Sequence, residues 1–377
     1  MKVTELKLHS VRVGRAYATQ IAQEGGGARA QVEGSNFLFI EASTDSGLTG
    51  WGEISDIEPH EMPDVGVFQQ QLSRFLVGRD PFDLQSLHTD YRAEFSEAQT
   101  EQMLRLTLAG LDTLCYDVGS QSAGVPIYKL LGGKQRDRVH VSWVAFIRDD
   151  LDRLRQEIAE KRRAGFTAYK LKVGVDIELD EQRLAVLREA AGPEANIKID
   201  PNGGWQLDEA VANIRRLARH GLSGVETPVA GRKPEDLAAV RSQVDVPIIE
   251  HVPTPQDALA YIRHESLDCF NIAVCSSGGI WPARIIAEMA QAAGVGLLLG
   301  STVEMGPGTL AQLHLAASLG GLTMPSDLIG PAMYADDVLD SPLTYDAAGQ
   351  LPIPDDVGLG AKINGQKLLE LRADGVK

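Results

Sequence analysis

The stretch "YKLKVG", Tyr169 to Gly174, places two lysines one residue apart inside a run that reads as a buried β-strand. Strand side chains alternate, so Lys170 and Lys172 share one face while Tyr169, Leu171 and Val173 take the other. Two ammonium groups in an apolar strand are costly unless something compensates them. Further along, "NIKID" ends in Asp200, "VETP" carries Glu226 and "IIEH" carries Glu250 ahead of His251, each about one strand–helix repeat after the last. Three carboxylates delivered to one place repel each other unless a cation sits between them. An all-oxygen set favours a hard divalent ion, Mg²⁺ first and Mn²⁺ second. Beside such an ion, a lysine can take the proton from the carbon α to a substrate carboxylate, leaving an enediolate that the ion stabilises. An ordinary lysine, with a pKa of about 10.4, is a weak base at neutral pH. A second ammonium and a divalent ion both lower it. Lys172 is therefore the expected base. Lys170 is expected to lower the pKa of Lys172 and to balance the substrate's carboxylate charge.

These residues need a frame that brings successive strand ends together. From about residue 139, strand-like runs ("RVHVSWVAF", "FTAYKLKV", "NIKID", "GVETPV", "VPIIEH", "DCFNIAV", "VGLLL", "LTMPSDL") alternate with amphipathic helical runs that end near glycine. Eight such units imply a closed (β/α)₈ barrel with its active site at the C-terminal strand ends, an open doubly wound sheet being the alternative. The expected organisation is an N-terminal α+β capping domain over residues 1–127, a barrel over 128–340, and a segment at 341–377 that returns to the cap. The glycine-rich loop "ATQIAQEGGGARAQ" lacks a strand–GxGxxG–helix frame. It reads as a lid over the barrel mouth, with Tyr17 and Ile21 as specificity contacts, or as a plain connection.

Bulk properties narrow the partners. A formal charge of −16 with no basic patch argues against nucleic acid. Cys115, Cys269 and Cys275 form no CxxC pair, which fits a reducing cytoplasm. The first residues alternate like a strand and lack an apolar signal core, and no apolar run is long enough for a membrane span.

With "LAGLDTLCYDVGSQSAGVPIYKLLGG", the KxK pair, "IDPNGGW", "VETP", "DCFNIAVCSSGGI" and "SDLIGP", the sequence resembles the enolase superfamily along nearly its whole length, in particular its muconate-lactonizing-enzyme (muconate cycloisomerase) branch. Superfamily sites combine a lysine or histidine base with Mg²⁺. The resemblance implies metal ligands at Asp200, Glu226 and Glu250, a base at Lys172, a partner of the ligands at Asn202, and Asp327 near the substrate's distal end. Racemizing relatives carry a second lysine on the sixth barrel strand, where "NIAVCSSGG" has Ala273 with Cys275 close by; the mandelate-racemase branch uses a histidine on the seventh, and "VGLLLGSTVEMG" has none. One lysine face suits β-elimination or cycloisomerization. A racemase or epimerase using Cys275, His251 or water as second acid/base is the alternative, and a catalytically silent binding module the alternative of another class. On the fifth strand "IEHV" resembles the Glu-His pair of some acid-sugar dehydratases. Glu250 is then the ligand, with His251 as its hydrogen-bond partner or as the ligand instead. The expected partner is a small-molecule carboxylate, and barrels of this type often form homo-oligomers.

Overall fold

A computed structural model describes residues 1–373; the last four residues of the expected C-terminal segment lie outside it. The chain opens with an antiparallel sheet of β1 (Val3–Thr19), β2 (Val32–Thr44) and β3 (Thr49–Ile57). One face of this sheet buries Leu6, Leu38, Ile40 and Ile54 against α1 (Val65–Leu76), α2 (Leu84–Phe95) and α3 (Glu101–Ala123). Helix α3 starts at Thr100, whose hydroxyl accepts from the Met103 amide, and stops at Gly124 in the left-handed conformation (φ 68°). It lies so close to β3 that a Cβ on Gly52 would sit 2.0 Å from the Gly110 carbonyl oxygen. The other face of the sheet presents Val11, Val13, Phe37 and Phe39 to Met305, Val338 and Leu368.

After α4 (Ile127–Leu130) and β4 (Arg138–His140) come the barrel strands β5 (Ser142–Ala145), β6 (Ala168–Lys172), β7 (Asn196–Asp200), β8 (Gly224–Glu226), β9 (Ile248–His251), β10 (Cys269–Ile272) and β11 (Gly296–Leu299). They pair in sequence order, all parallel. The eighth stave is the segment 322–327. Leu322 bridges Leu297, Ser326 bridges Val141, and the Asp327 amide donates to Leu299 O, so the cylinder closes. Pro325 brings no N–H to the ladder, which explains why this stave makes isolated bridges and no continuous strand.

The crossover helices are α5 (Leu151–Arg163), α6 (Ile177–Ala191), α7 (Leu207–Ala218), α8 (Pro234–Arg241), α9 (Pro255–Arg263), the short α10 (Val274–Ser277), α11 (Ile280–Ala292) and α12 (Gly306–Ser318). They bury the outward-facing residues of the strands, among them Tyr169, Leu171, Ile197, Ile199, Val225, Ile248, Phe270 and Leu297. Inside the cylinder a small layer of Ile249, Cys269, Leu298 and Met324 fills the floor. After α13 (Gly330–Met333), the strand β12 (Gln350–Pro352) pairs with β4 at the barrel base. The chain then returns through α14 (Gly365–Glu370) to bond Arg12 on β1 through Leu371 O. No described helix is long and apolar enough to cross a membrane.

Candidate active site

The pleat decides which side chains enter the barrel. Register pairs Lys170 with Lys198 and Lys172 with Asp200, so all four face inward, and Lys198 opposite Gly224 carries Glu226 inward as well. On β9, Glu226 stands opposite Ile249, a residue of the interior layer. Alternation from Ile249 turns Glu250 toward the helices, level with Phe270, and brings His251 back into the mouth, level with Asn271.

The contacts agree with that parity. Lys170 Nζ donates to Glu226 Oε1 (2.7 Å) and Asp327 Oδ2 (3.0 Å) and lies 3.2 Å from Asp200 Oδ2. Lys172 Nζ donates to Asp200 Oδ2 at 2.6 Å. Lys198, fully buried, donates to Asp327 Oδ1 (2.8 Å) and Pro325 O (2.7 Å). His251 Nε2 lies 3.1 Å from Glu226 Oε1. Glu250 takes its partners elsewhere: Thr227 Oγ1 and the His251 amide donate to its Oε1, and the Arg232 guanidinium stands 3.9 Å away. Asn202, with φ +51°, donates its backbone amide to Asp200 Oδ1 at 2.8 Å from the loop that follows that ligand candidate.

Burial would push the Lys170 ammonium down, but the carboxylates of Asp327, Glu226 and Asp200 outweigh it and hold the group well above the ordinary lysine value. Burial likewise raises Glu226, yet Lys170 and then His251 carry its carboxyl well below the usual range. For Glu250 burial prevails over Arg232 and raises it. Lys170 was expected to depress its neighbour and to balance the substrate's carboxylate; in the structure its ammonium also stands among three buried protein carboxylates.

Of the three expected metal ligands, Asp200 and Glu226 meet around Lys170, while Glu250 does not join them. Among the described residues no three His, Cys, Asp or Glu side chains already form a closed metal cage. The donor chemistry nevertheless fits a divalent ion. The oxygens Glu226 Oε2, Glu250 Oε2, Asn202 Oδ1 and Asn271 Oδ1 are buried without a hydrogen-bond partner, and Glu226, Glu250 and Asn271 are almost wholly removed from solvent.

Above the lysines opens a cavity of about 710 Å³, lined by Lys170, Lys172 and Asp327, by Phe146 and Val144 of the barrel, by Ser301 and Thr302 after β11, and by the cap. The lid loop contributes Ile21, Arg29 and Ala30, and β1 and β3 contribute Arg15 and Asp56, which form an ion pair at 3.0 Å. Tyr17 is not in that lining. Its ring packs edge-on to Phe146 beneath Arg148, and its hydroxyl points to the Met333 sulfur. Cys275 is also withdrawn, its thiol bonded to Glu304 Oε1 (2.9 Å) and Thr302 Oγ1 (3.0 Å), and burial together with Glu304 drives its pKa well up. Asp327 borders the cavity, but both its oxygens are spent on lysines.

Three features escaped the sequence reading. Lys198 could have been found by counting two back from Asp200 on the same strand face. Arg232 and the Ser301–Glu304 turn carry no sequence signal, because left-handed conformations at Arg232 (φ +48°) and Val303 (φ +61°) aim them.

A family model described as the enolase C-terminal domain-like family matches residues 153–367, and one described as the mandelate racemase/muconate lactonizing enzyme N-terminal domain matches 18–132. Muconate cycloisomerase 1 of Rhodococcus opacus is 29% identical over 87% of this chain and 88% of its own. The hydrophobic dipeptide epimerase of Enterococcus faecalis is 30% identical over 84% and 89% respectively. The crystal structure of a dipeptide epimerase from Cytophaga hutchinsonii, complexed with Mg and D-Ala-L-Val, superposes with a TM-score of 0.89 at 25% identity, covering 98% of both chains. The lysine pair facing buried carboxylates in a capped, closed barrel and these matches agree: the chain belongs to the mandelate racemase/muconate lactonizing enzyme family of the enolase superfamily.

Proposed function

We propose that the protein is a Mg²⁺-dependent enzyme that removes the α-proton of a small carboxylate with Lys172 and completes a one-base reaction, β-elimination of water or cycloisomerization. The observation that carries this reading is the lining of the cavity: both of its lysines come from one strand, β6, the segment after β11 offers Ser301, Thr302 and Val303, and the acid/base side chains Asp56, Glu58, His60 and Glu61 belong to the cap. Exchange of configuration by two bases needs proton carriers on both faces of Cα. A bound Mg²⁺ supplies the positive charge that stabilises the second negative charge developing on the substrate carboxylate.

The chain's own residues do the rest. Lys198 fixes Asp327, Asp327 with Glu226 fixes the charged Lys170, and Lys170 offers a cation to the substrate carboxylate. Lys172, bonded to Asp200, accepts the α-proton and returns it to the departing β-hydroxyl in an elimination; in a cycloisomerization its ammonium instead gives a proton to the α-carbon of the enediolate formed as the ring closes. The cap closes the mouth and keeps water from the carbanion. A cytoplasmic homo-oligomer belongs to the same reading, supported by three free buried cysteines and by exposed Val67, Val77 and Phe82 on the helical side of the cap.

The test is incubation in D₂O with Mg²⁺ and a panel of hydroxy acids, proline analogues and acid sugars, read by proton NMR and mass. We expect loss of the α-proton signal with loss of water or ring closure for one class. Lys172→Ala should slow α-proton loss by roughly 10²–10⁴-fold, the contribution of a general base, with an unchanged circular dichroism spectrum. Undiminished exchange in that variant rejects the assignment. The second reading, epimerization with a non-lysine acid on the opposite face, is favoured only by the racemase and epimerase activities of relatives such as the N-succinyl-L-Arg/Lys racemase of Bacillus cereus. Inversion at Cα without net chemistry identifies it.

A further inference from the structure

The third donor to the metal is a matter of one residue of strand phase. Glu250 and His251 are neighbours on β9, so they must face opposite sides of the sheet. Parallel register places Glu250 beside Phe270, whose ring packs among the crossover helices, and places His251 beside Asn271. On the outward side Glu250 meets Thr227 and Arg232, and the Arg232 carbonyl is in turn held by the Tyr261 hydroxyl from α9 at 2.9 Å. Glu250 Oε1 thus accepts two hydrogen bonds and the guanidinium stands 3.9 Å away, while its Oε2, like Glu226 Oε2, is buried without a partner, so the strand phase and not hydrogen-bond satisfaction separates the two residues.

His251 has no such engagement on the helix side. Its Nε2 stands 3.1 Å from Glu226 Oε1, a separation common to two atoms bound to one ion and to a hydrogen-bonded pair. Next to it Glu226 Oε2 and both polar atoms of Asn271 are buried and unpartnered. Buried amide and carboxylate atoms left open in this way cost free energy unless a ligand completes them. The oxygens of Glu226 and Asn271 left open in this way lie on the carboxylate His251 contacts and on its register neighbour.

We infer that His251, through Nε2, is the third metal donor beside Asp200 and Glu226, and that Glu250 is the buried counter-ion of Arg232. This rests on the metal-dependent reading above. A donor set of two carboxylates and an imidazole is softer than an all-oxygen one, because imidazole suits later first-row metals while carboxylate and water suit Mg²⁺. The protein should therefore prefer Mn²⁺ to Mg²⁺ more strongly than an all-carboxylate site does.

The decisive probe is Mn²⁺ added to the purified full chain, read by pulsed electron paramagnetic resonance. A directly bound imidazole imposes a nitrogen modulation on the Mn²⁺ signal, and histidine-selective ¹⁵N labelling must change it. Calorimetry with Mn²⁺ and Mg²⁺ supplies the second readout. His251→Gln should weaken Mn²⁺ by more than the roughly 10–100-fold that loss of an outer hydrogen-bond partner produces. His251→Asp should keep binding but remove the nitrogen modulation and narrow the preference for Mn²⁺ over Mg²⁺. Glu250→Gln should alter affinity by less than about 10-fold, within the range of an indirect partner. Bound Mn²⁺ without nitrogen modulation, or loss of binding in Glu250→Gln with retention in His251→Gln, overturns the assignment and leaves the enzyme reading standing. Failure of the wild-type chain to bind either ion overturns both.

Discussion

Lys198 is the side chain whose loss should be felt most directly. It is fully buried and shares Asp327 with Lys170. Removing one partner of a buried ionic cluster leaves an uncompensated charge, which costs about 3–5 kcal/mol. Lys198→Met should therefore lower the free energy of urea unfolding at pH 7 by that order, and Asp327→Asn added to it should recover part of the loss. An unchanged midpoint would show that Asp327 is satisfied without Lys198. Glu53 offers a pH test. Its carboxyl, on β3, accepts from the Ser55 hydroxyl and from the Met305 and Gly308 amides, yet burial pushes its pKa up from 4.5 to about 8. The folded state thus holds this proton more tightly than the unfolded chain does. Its contribution to stability is fully present below about pH 4.5 and is lost as pH rises through about 8. Between those limits Glu53→Gln should gain on the wild type by at most about 1.4 kcal/mol per pH unit in paired denaturation curves. A difference that stays constant with pH would contradict this.

At the scale of elements, the strand ends proposed to carry the chemistry were legible because a βαβ rhythm marks them, and Lys170, Lys172, Asp200 and Glu226 stand on the inner face as their spacing implies. The phase of β9 was not legible. "VPIIEHV" is apolar on both faces, so no alternation of polarity shows which of Glu250 and His251 looks inward, and a shift of one residue exchanges them. Only the register with β8 and β10 fixes it. Tyr17 illustrates a different limit: it was expected at the cavity wall, but its side chain turns into packing against Phe146 and Met333 that sequence does not reveal, whereas the buried thiol of Cys275 is the ordinary reading of a lone cysteine in an apolar run. The lid shows how loops bind this frame. Its Glu24 carboxylate accepts from the Gly231 amide at 2.6 Å, and the Gly25 amide donates to Gly203 O at 2.8 Å, tying the lid to the loops after β7 and β8. Glu24→Ala should free the loop, and trypsin cleavage after exposed Arg29 should accelerate several-fold. Equal cleavage of both proteins would show that the Glu24 contact does not hold the lid.

The whole molecule depends on a cap that fits one barrel closely. Asp112 of α3, completely buried, accepts from the Ile280 amide at the start of α11 and pairs with His88, while Gly279 (φ +134°) leaves room for it where a Cβ would come within 2.4 Å of the carboxyl carbon. Gly52 plays the same part against Gly110. Gly52→Ala forces backbone apart in a close-packed interior and should cost about 1–3 kcal/mol or more, seen as a lowered thermal midpoint. This fit places Arg15 and Asp56 of the cap over lysines of the barrel, so the two domains build one cavity. The central claim is that proton transfer occurs at one face of that cavity. It is tested most directly by offering a responsive substrate as each α-epimer separately in D₂O with Mg²⁺ and following the α-proton by NMR. The account predicts that one epimer alone loses its α-proton and goes on to product while the other keeps its proton untouched. Exchange of both epimers, with each converting into the other, would contradict it.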